Sequence, residues 1–163
     1  MDISRTQAGK VKFRFDDFDF DQLAMDMVEN MQHFSQRHQI VLEGKTSISY
    51  YGDRLRLEQV FSNFISNAIK YSPESDKIIV KLACLNEQII VSFTDFGIGI
   101  DKEKRERLFE RYYRGEEKSN TTTGLGIGLY ITAEIIKRHG GHVWVESEKG
   151  KGSIFYFSLP LLP

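Results

Sequence analysis

Two asparagines one helical turn apart, Asn63 and Asn67, share a narrow sector with Gln59 and Lys70. At about 100° per residue, Leu57, Val60, Phe61, Phe64, Ile65 and Ala68 fall on the opposite side, which must meet a core. Asparagine is a poor helix former, and solvent-facing helix surfaces ordinarily carry Glu, Lys and Arg. Its amide oxygen is a hard, neutral ligand suited to Mg²⁺, an ion that keeps several waters and takes one or two protein oxygens plus substrate phosphates. Lys70 beside the pair would meet phosphate charge. Taken alone, the same face also reads as solvated surface.

A second signal is Asp95-Phe96-Gly97-Ile98-Gly99-Ile100, at the end of a predicted strand. The glycines permit unusual dihedrals and close approach of a ligand. The Asp95 carboxylate only accepts hydrogen bonds, so it can bind an exocyclic amine such as that of adenine. A capped turn after a strand explains the same residues without a ligand. Asp-Phe-Gly is also the metal-binding triplet of eukaryotic protein kinases, but their His-Arg-Asp loop and strand-lysine motif are absent. A third signal, Gly124-Leu125-Gly126-Ile127-Gly128-Leu129, opens a helix. Its spacing is not the dinucleotide fingerprint. Glycine-rich backbone at a helix N-terminus nevertheless cradles phosphate, through free N–H groups and the helix dipole. Phe109-Glu110-Arg111-Tyr112-Tyr113-Arg114 precedes it, with arginines able to bind phosphate through two parallel hydrogen bonds.

The elements that must position these residues follow from periodicity and punctuation. An edge strand is expected near 11–15. A helix capped by Asp19 or Asp21 follows, with Leu23, Met27, Met31 and Phe34 inside. Short strands are expected over 40–42 and 46–50. Asp53 caps the asparagine helix, which stops at Ser72-Pro73. Strands over 77–85 and 88–94 form a hairpin about Asn86-Glu87. A short helix spans 102–109, and the threonine-rich stretch 115–123 reads as a mobile loop. A third long helix covers about 125–139 and ends at Gly140-Gly141. Strands over 142–146 and 153–159 close the chain. The pattern is α+β: a mixed sheet with three main helices on one face.

The 163 residues suit one domain, and a net charge of −1 gives no nucleic-acid footprint. The lone Cys84, expected in the core, forms no intramolecular disulfide. No apolar run approaches the roughly 20 residues of a membrane helix, and no signal peptide is visible. The chain is expected to be cytoplasmic and monomeric, with no nucleic-acid or membrane contact of its own. Segments outside it could anchor the parent protein in a membrane.

Together and in this order, the boxes resemble the catalytic domain of sensor histidine kinases, within the larger family of gyrase-type, heat-shock-chaperone and mismatch-repair ATPases. Asn63 to Tyr71 looks like the asparagine box, Asp95 to Gly99 the first glycine box, and Phe109 to Arg114 the phenylalanine box. Gly124 to Leu129 looks like the second glycine box, with Gly150-Lys151-Gly152-Ser153 a weaker third. The resemblance implies an ATP-binding, two-layer α/β sandwich of the Bergerat type over 11–163, with ATP and Mg²⁺ as ligands. Residues 1–10 would be the end of a preceding dimerisation helix or linker. Asn63 would bind Mg²⁺, with Asn67 close to the metal and phosphates. Lys70 and Tyr71 would contact phosphate and ribose, and Asp95 would bind the adenine amine. Gly97 and Gly99 would let the base approach, beside Ile100, with Ser153 in support. Lys70 and Arg114 would act in phosphoryl transfer, Arg114 at the γ-phosphate. Residues 115–123 would be the ATP lid. Tyr113, Thr123, Gly124, Leu125, Gly126, Ile127, Gly128 and Leu129 would complete the nucleotide site. Phe96 departs from the family's usual asparagine, which implies a changed pocket rim.

The resemblance also implies a substrate histidine followed by an acidic residue. His33, His38, His139 and His142 precede Phe34, Gln39, Gly140 and Val143, so none fits. His33 and His38 read as exposed helix residues. The chain therefore reads as a fragment whose partners are its own dimerisation domain and, through it, a response regulator. A gyrase-type ATPase would carry a glutamate one turn before Asn63, where Gln59 stands; an amide is no general base. A nucleotide-sensing module without phosphotransfer is the third reading, disfavoured by the presence of Lys70 and Arg114.

Overall fold

The computed structural model describes residues 12–110 and 127–161. Asp19 starts the helix Phe20–Gln32 (α1) by accepting the Gln22 N–H. Leu23, Met27 and Met31 form its buried stripe, while Phe34 lies beyond the helix end and is exposed. Asp53 caps the helix Arg54–Lys70 (α2), accepting the Arg56 N–H at 3.1 Å. The third helix covers only Lys102–Arg105 (α3) and passes into turns through 109, shorter than its expected span. The fourth, Ile127–Arg138 (α4), runs up to the turn at Gly140-Gly141.

The strands are Asp16–Asp19 (β1), Gln39–Gly44 (β2), Ser49–Gly52 (β3), Lys77–Leu85 (β4), Gln88–Asp95 (β5), His142–Ser147 (β6) and Ser153–Pro160 (β7). The β4–β5 hairpin turns on Asn86 and Glu87, both at positive φ, 53° and 61°, as a two-residue hairpin turn with right-handed strand twist prefers. Five strands form one mixed sheet in the order β2-β4-β5-β7-β6, with β2 and β4 parallel and the other pairs antiparallel. β1 and β3 form a separate two-stranded antiparallel sheet.

That small sheet differs from the expected strands at 11–15 and 46–50, because other partners take those amides. The Thr46 and Ser47 N–H groups each donate to the Asp21 carboxylate at 2.8 Å. The Arg14 N–H donates to Asp53 Oδ2 at 2.9 Å, and the Phe15 ring stacks on His139 with 4.9 Å between centroids. Backbone committed to a carboxylate is not available for a ladder.

Helices α1, α2 and α4 cover the sheet, α1 toward β2, α2 toward β4 and β5, and α4 toward β6 and β7. Phe61 and Phe64 of α2 enter an aromatic core with Phe93, Phe155 and Phe157. Phe64 stacks on Phe93 at 4.9 Å, and Phe61 meets Phe157 edge-on at 5.7 Å. These rings give α2 a single rotational setting, since quadrupolar ring pairs favour offset and edge contacts. Cys84 is half-buried on β4 rather than in the core. Among the described residues, no helix is long and apolar enough to cross a membrane.

Candidate nucleotide site

With its aromatic side fixed on the sheet, α2 presents Asn63 toward α4. The Asn63 Nδ2 donates to the Gly128 carbonyl at 3.3 Å and to Thr132 Oγ1 at 3.1 Å. Both donor positions of the amide are therefore taken, and what the side chain still offers is its oxygen. Gly128 leaves room beside it: a Cβ there would find nothing nearer than Asn63 Cγ, at 4.0 Å. One turn on, the Asn67 Nδ2 is buried and has no hydrogen-bond partner among the described residues. Lys70 is exposed at the end of α2, with its ammonium 5.5 Å from the centroid of the Tyr71 ring.

Asp95 ends β5 and is 1% exposed. One carboxylate oxygen accepts the Gly97 N–H at 3.0 Å; the other, Oδ2, is buried without a hydrogen-bond partner among the described residues. Burial pushes the Asp95 carboxyl up to about 6, against the nearby N–H dipoles of Gly97 and Ser153, which pull it down. Such a group is held ready for a donor that would favour its charged form. Ser153, buried beside it in the ladder, shares a 2.7 Å hydrogen bond with Ser147.

The two box glycines carry a packing burden that their spacing alone does not imply. A Cβ on Gly97 would lie 1.9 Å from the Tyr71 carbonyl oxygen, and one on Gly99 2.1 Å from the Glu148 carbonyl oxygen. The chain's own backbone fills the space beside both, and Gly99 also needs its φ of +73°. The Ile98 N–H donates to Tyr71 O at 3.2 Å, which ties this turn to the end of α2. Phe96 and Ile98 project outward, 51% and 55% exposed, as an apolar rim.

Asn63, Asn67, Tyr71, Asp95, Gly97, Gly128 and Ser153 are thus joined through α2 and its contacts with α4 and the β5 turn. Ile100 is buried there, and Leu129 packs against the core. Tyr113, Arg114, Thr123, Gly124, Leu125 and Gly126, with the expected lid at 115–123 and the leader at 1–10, lie outside the described residues. Ile127 opens the described part of α4. Two members of the site had no motif to announce them. Thr132 orients Asn63. Ser147 accepts the Ile100 N–H at 2.8 Å and donates to the Gly152 carbonyl at 2.9 Å, fastening the loop after β5 to the β6–β7 turn.

The raised Asp95 carboxyl makes a prediction. The folded value of about 6 lies above the ordinary 3.8, so protonation favours the nucleotide-free protein and this contribution is lost as pH rises through 6. An amine donor needs the opposite, charged form. Adenine-nucleotide affinity should therefore fall as pH drops through about 6, the Asp95 carboxyl itself shifting down when ligand binds. Calorimetry from pH 7.5 to 5 on wild type and Asp95→Asn checks this. The variant should lack the step, which separates it from titration of the nucleotide's phosphates.

Known proteins share this fold. The family profile described as "Histidine kinase-, DNA gyrase B-, and HSP90-like ATPase" matches residues 52–163. The adaptive-response sensory kinase SasA of Prochlorococcus marinus is 40% identical over 112 residues, 68% of this chain and 29% of its own. The chain thus spans under a third of that relative's length. The catalytic domain of histidine kinase ThkA, in a nucleotide-free form, superposes with a TM-score of 0.80 and 27% identity, over 93% of this chain and all of that one. Full-length ShkA in complex with AMPPNP gives a TM-score of 0.78 and 25% identity, over 92% of this chain and 32% of that one.

Proposed function

The chain belongs to the family of histidine kinase-, DNA gyrase B- and HSP90-like ATPases, and from that premise we propose that it binds Mg²⁺–ATP and supplies the γ-phosphoryl group to a histidine on a separate dimerisation domain, in two-component signal transduction. One observation carries the reading: the site keeps a buried acceptor, Asp95 Oδ2, and a buried donor, Asn67 Nδ2, without hydrogen-bond partners among the described residues. Buried polar atoms are costly to leave unpaired. An adenine amine completes the first and a phosphate oxygen the second.

The donor set suits the metal as well. Among the described residues no cluster of His, Cys, Asp and Glu stands ready to cage an ion. Asn63 offers one neutral oxygen, which fits an ion that draws its other ligands from phosphate and water. Bound there, Mg²⁺ would neutralise phosphate charge, the main demand of phosphoryl transfer. Lys70 would add charge at the phosphates, and Arg114 is proposed to meet the γ-phosphate. A water-activating ATPase lacks its base: Gln59 is an amide, and the neighbouring Glu58 is paired with Arg54 at 3.1 Å, which also holds Asp26 at 2.9 Å. A response regulator is the proposed partner downstream, and the cytoplasm the proposed location.

The acceptor histidine is proposed to lie on another domain. His38 and His139 are 4% and 7% exposed, and both nitrogens of each ring are hydrogen-bonded. His33 and His142 are exposed but lack the acidic neighbour. Incubated alone with γ-labelled ATP, these 163 residues should stay unlabelled, and adding a matched dimerisation domain should place label on that domain's histidine. Stable label on any of the chain's own histidines would sink the proposal.

A further inference from the structure

His38 belongs to no motif, yet its ring is buried against the end of the asparagine helix. Its Nε2 lies 2.7 Å from the Ser72 carbonyl oxygen, which can only accept, so Nε2 carries a proton and donates. In the neutral ring, Nδ1 accepts from the Ser35 hydroxyl at 2.8 Å, and Ser35 Oγ in turn accepts the His38 N–H at 3.1 Å. The loop bearing the ring is braced from below. Gln32 Nε2 donates to the Ser35 and His38 carbonyls at 3.0 and 2.7 Å, and its Oε1 accepts the Ile40 N–H at 2.9 Å.

The Ser72–Pro73 peptide that His38 grips follows directly on the Tyr71–Ser72 peptide, on which the base end of the site rests. Ser72 Oγ donates back to Ala68 O at 2.7 Å, anchoring it to α2. One residue earlier, Tyr71 O accepts the Ile98 N–H at 3.2 Å. Gly97 packs so tightly there that a Cβ would sit 2.7 Å from Ser72 Cα. The Gly97 N–H holds Asp95 Oδ1 at 3.0 Å. Contacts therefore run without a gap from Ser35 through His38, Ser72, Tyr71 and Gly97 to the Asp95 carboxylate.

We propose that His38 is a positioning residue for base recognition: by holding the Ser72 carbonyl, it fixes the adjoining Tyr71–Ser72 peptide and so sets the glycine turn that aims the Asp95 carboxylate. This rests on the reading of Asp95 as the acceptor for the adenine amine. His38→Leu removes the ring's N–H and leaves the Ser72 carbonyl only the Ser75 N–H at 3.2 Å. His38→Gln can place an amide donor near the position of Nε2. Two readouts separate positioning from mere support of the fold: amide exchange at Ile98 in the nucleotide-free protein, and the ratio of ATP to GTP affinity by calorimetry. In His38→Leu, exchange at Ile98 should quicken about tenfold or more, and the affinity ratio should fall about threefold or more. His38→Gln should restore both to within about twofold. The control Leu23→Ala, a core truncation on α1, should leave the ratio unchanged. An unchanged ratio in folded His38→Leu, an equal loss in Leu23→Ala, or failure of glutamine to rescue would overturn the proposal. Should His38→Leu not fold, Ser35→Ala, which removes the partner of Nδ1 and of the His38 N–H but keeps the ring, is read the same way. If wild type shows no preference for ATP, the Asp95 reading has failed instead, and exchange at Ile98 alone decides whether His38 holds the turn.

Discussion

ATP should bind at least about tenfold more tightly than GTP, and Asp95→Asn should narrow or reverse that preference. The buried Asp95 Oδ2 has no hydrogen-bond partner among the described residues and, as a carboxylate oxygen, can only accept. Adenine brings an amine donor at its six position. Guanine brings a carbonyl, which would set acceptor against acceptor. An unsatisfied buried polar group costs about 1–3 kcal/mol, more when charged, and 1.4 kcal/mol is already a factor of about ten. The asparagine variant changes the sign of this term, because its amide can donate to the guanine carbonyl. GTP binding should rise while ATP binding falls. Competition between the two nucleotides on both proteins measures the whole effect. Equal wild-type affinities would remove Asp95 from the base site, and with it the strongest link between this fold and an ATP pocket.

Asn63→Ala should weaken Mg²⁺–ATP binding by roughly thirtyfold, the equivalent of about 2 kcal/mol for a polar contact to a charged group. The Asn63 amide nitrogen is spent on Gly128 O and Thr132 Oγ1, which leaves the oxygen as the proposed ligand of the metal. The loss should depend on Mg²⁺. With EDTA present, wild type and variant should bind the nucleotide with nearly equal, weaker affinity. Thr132→Val tests the orientation separately, since it removes one of the two acceptors while keeping a β-branched side chain. It should lower Mg²⁺-dependent affinity in the same direction and by less. Titration calorimetry with a non-hydrolysable ATP analogue reads all three proteins. If Asn63→Ala bound Mg²⁺–nucleotide as tightly as wild type, the metal assignment would be wrong.

Much of the fold was legible because its causes are local. The apolar stripe of α2, its cap at Asp53 and its stop before Pro73 are decided within a few residues of one another. So are the hairpin at Asn86-Glu87 and the cap at Asp19. The family boxes were legible for the same reason, each being a short run. The errors fall where a distant partner intervenes. Residues 46 and 47 leave the expected strand because Asp21, on another element, captures their amides. His38 reads as an exposed helix residue from its neighbours in sequence. It is buried because the end of α2, 34 positions away, comes to lie on it.

The sequence by itself determined which side chains the proposed site draws on: the asparagine face, the acceptor Asp95, the glycines at 97 and 99 and the amide at position 59. Their chemistry is intrinsic, and the helical period alone puts the asparagines on one face. Only the tertiary structure decided how each is used. It spent the Asn63 nitrogen on α4, left Asn67 Nδ2 and Asp95 Oδ2 buried without partners among the described residues, and filled the space beside Gly97 and Gly99 with the chain's own carbonyls. The physical reason is that a donor's or acceptor's satisfaction, like the room beside a glycine, is a property of a pair. The second member of each pair arrives from a part of the chain that sequence distance does not mark as near.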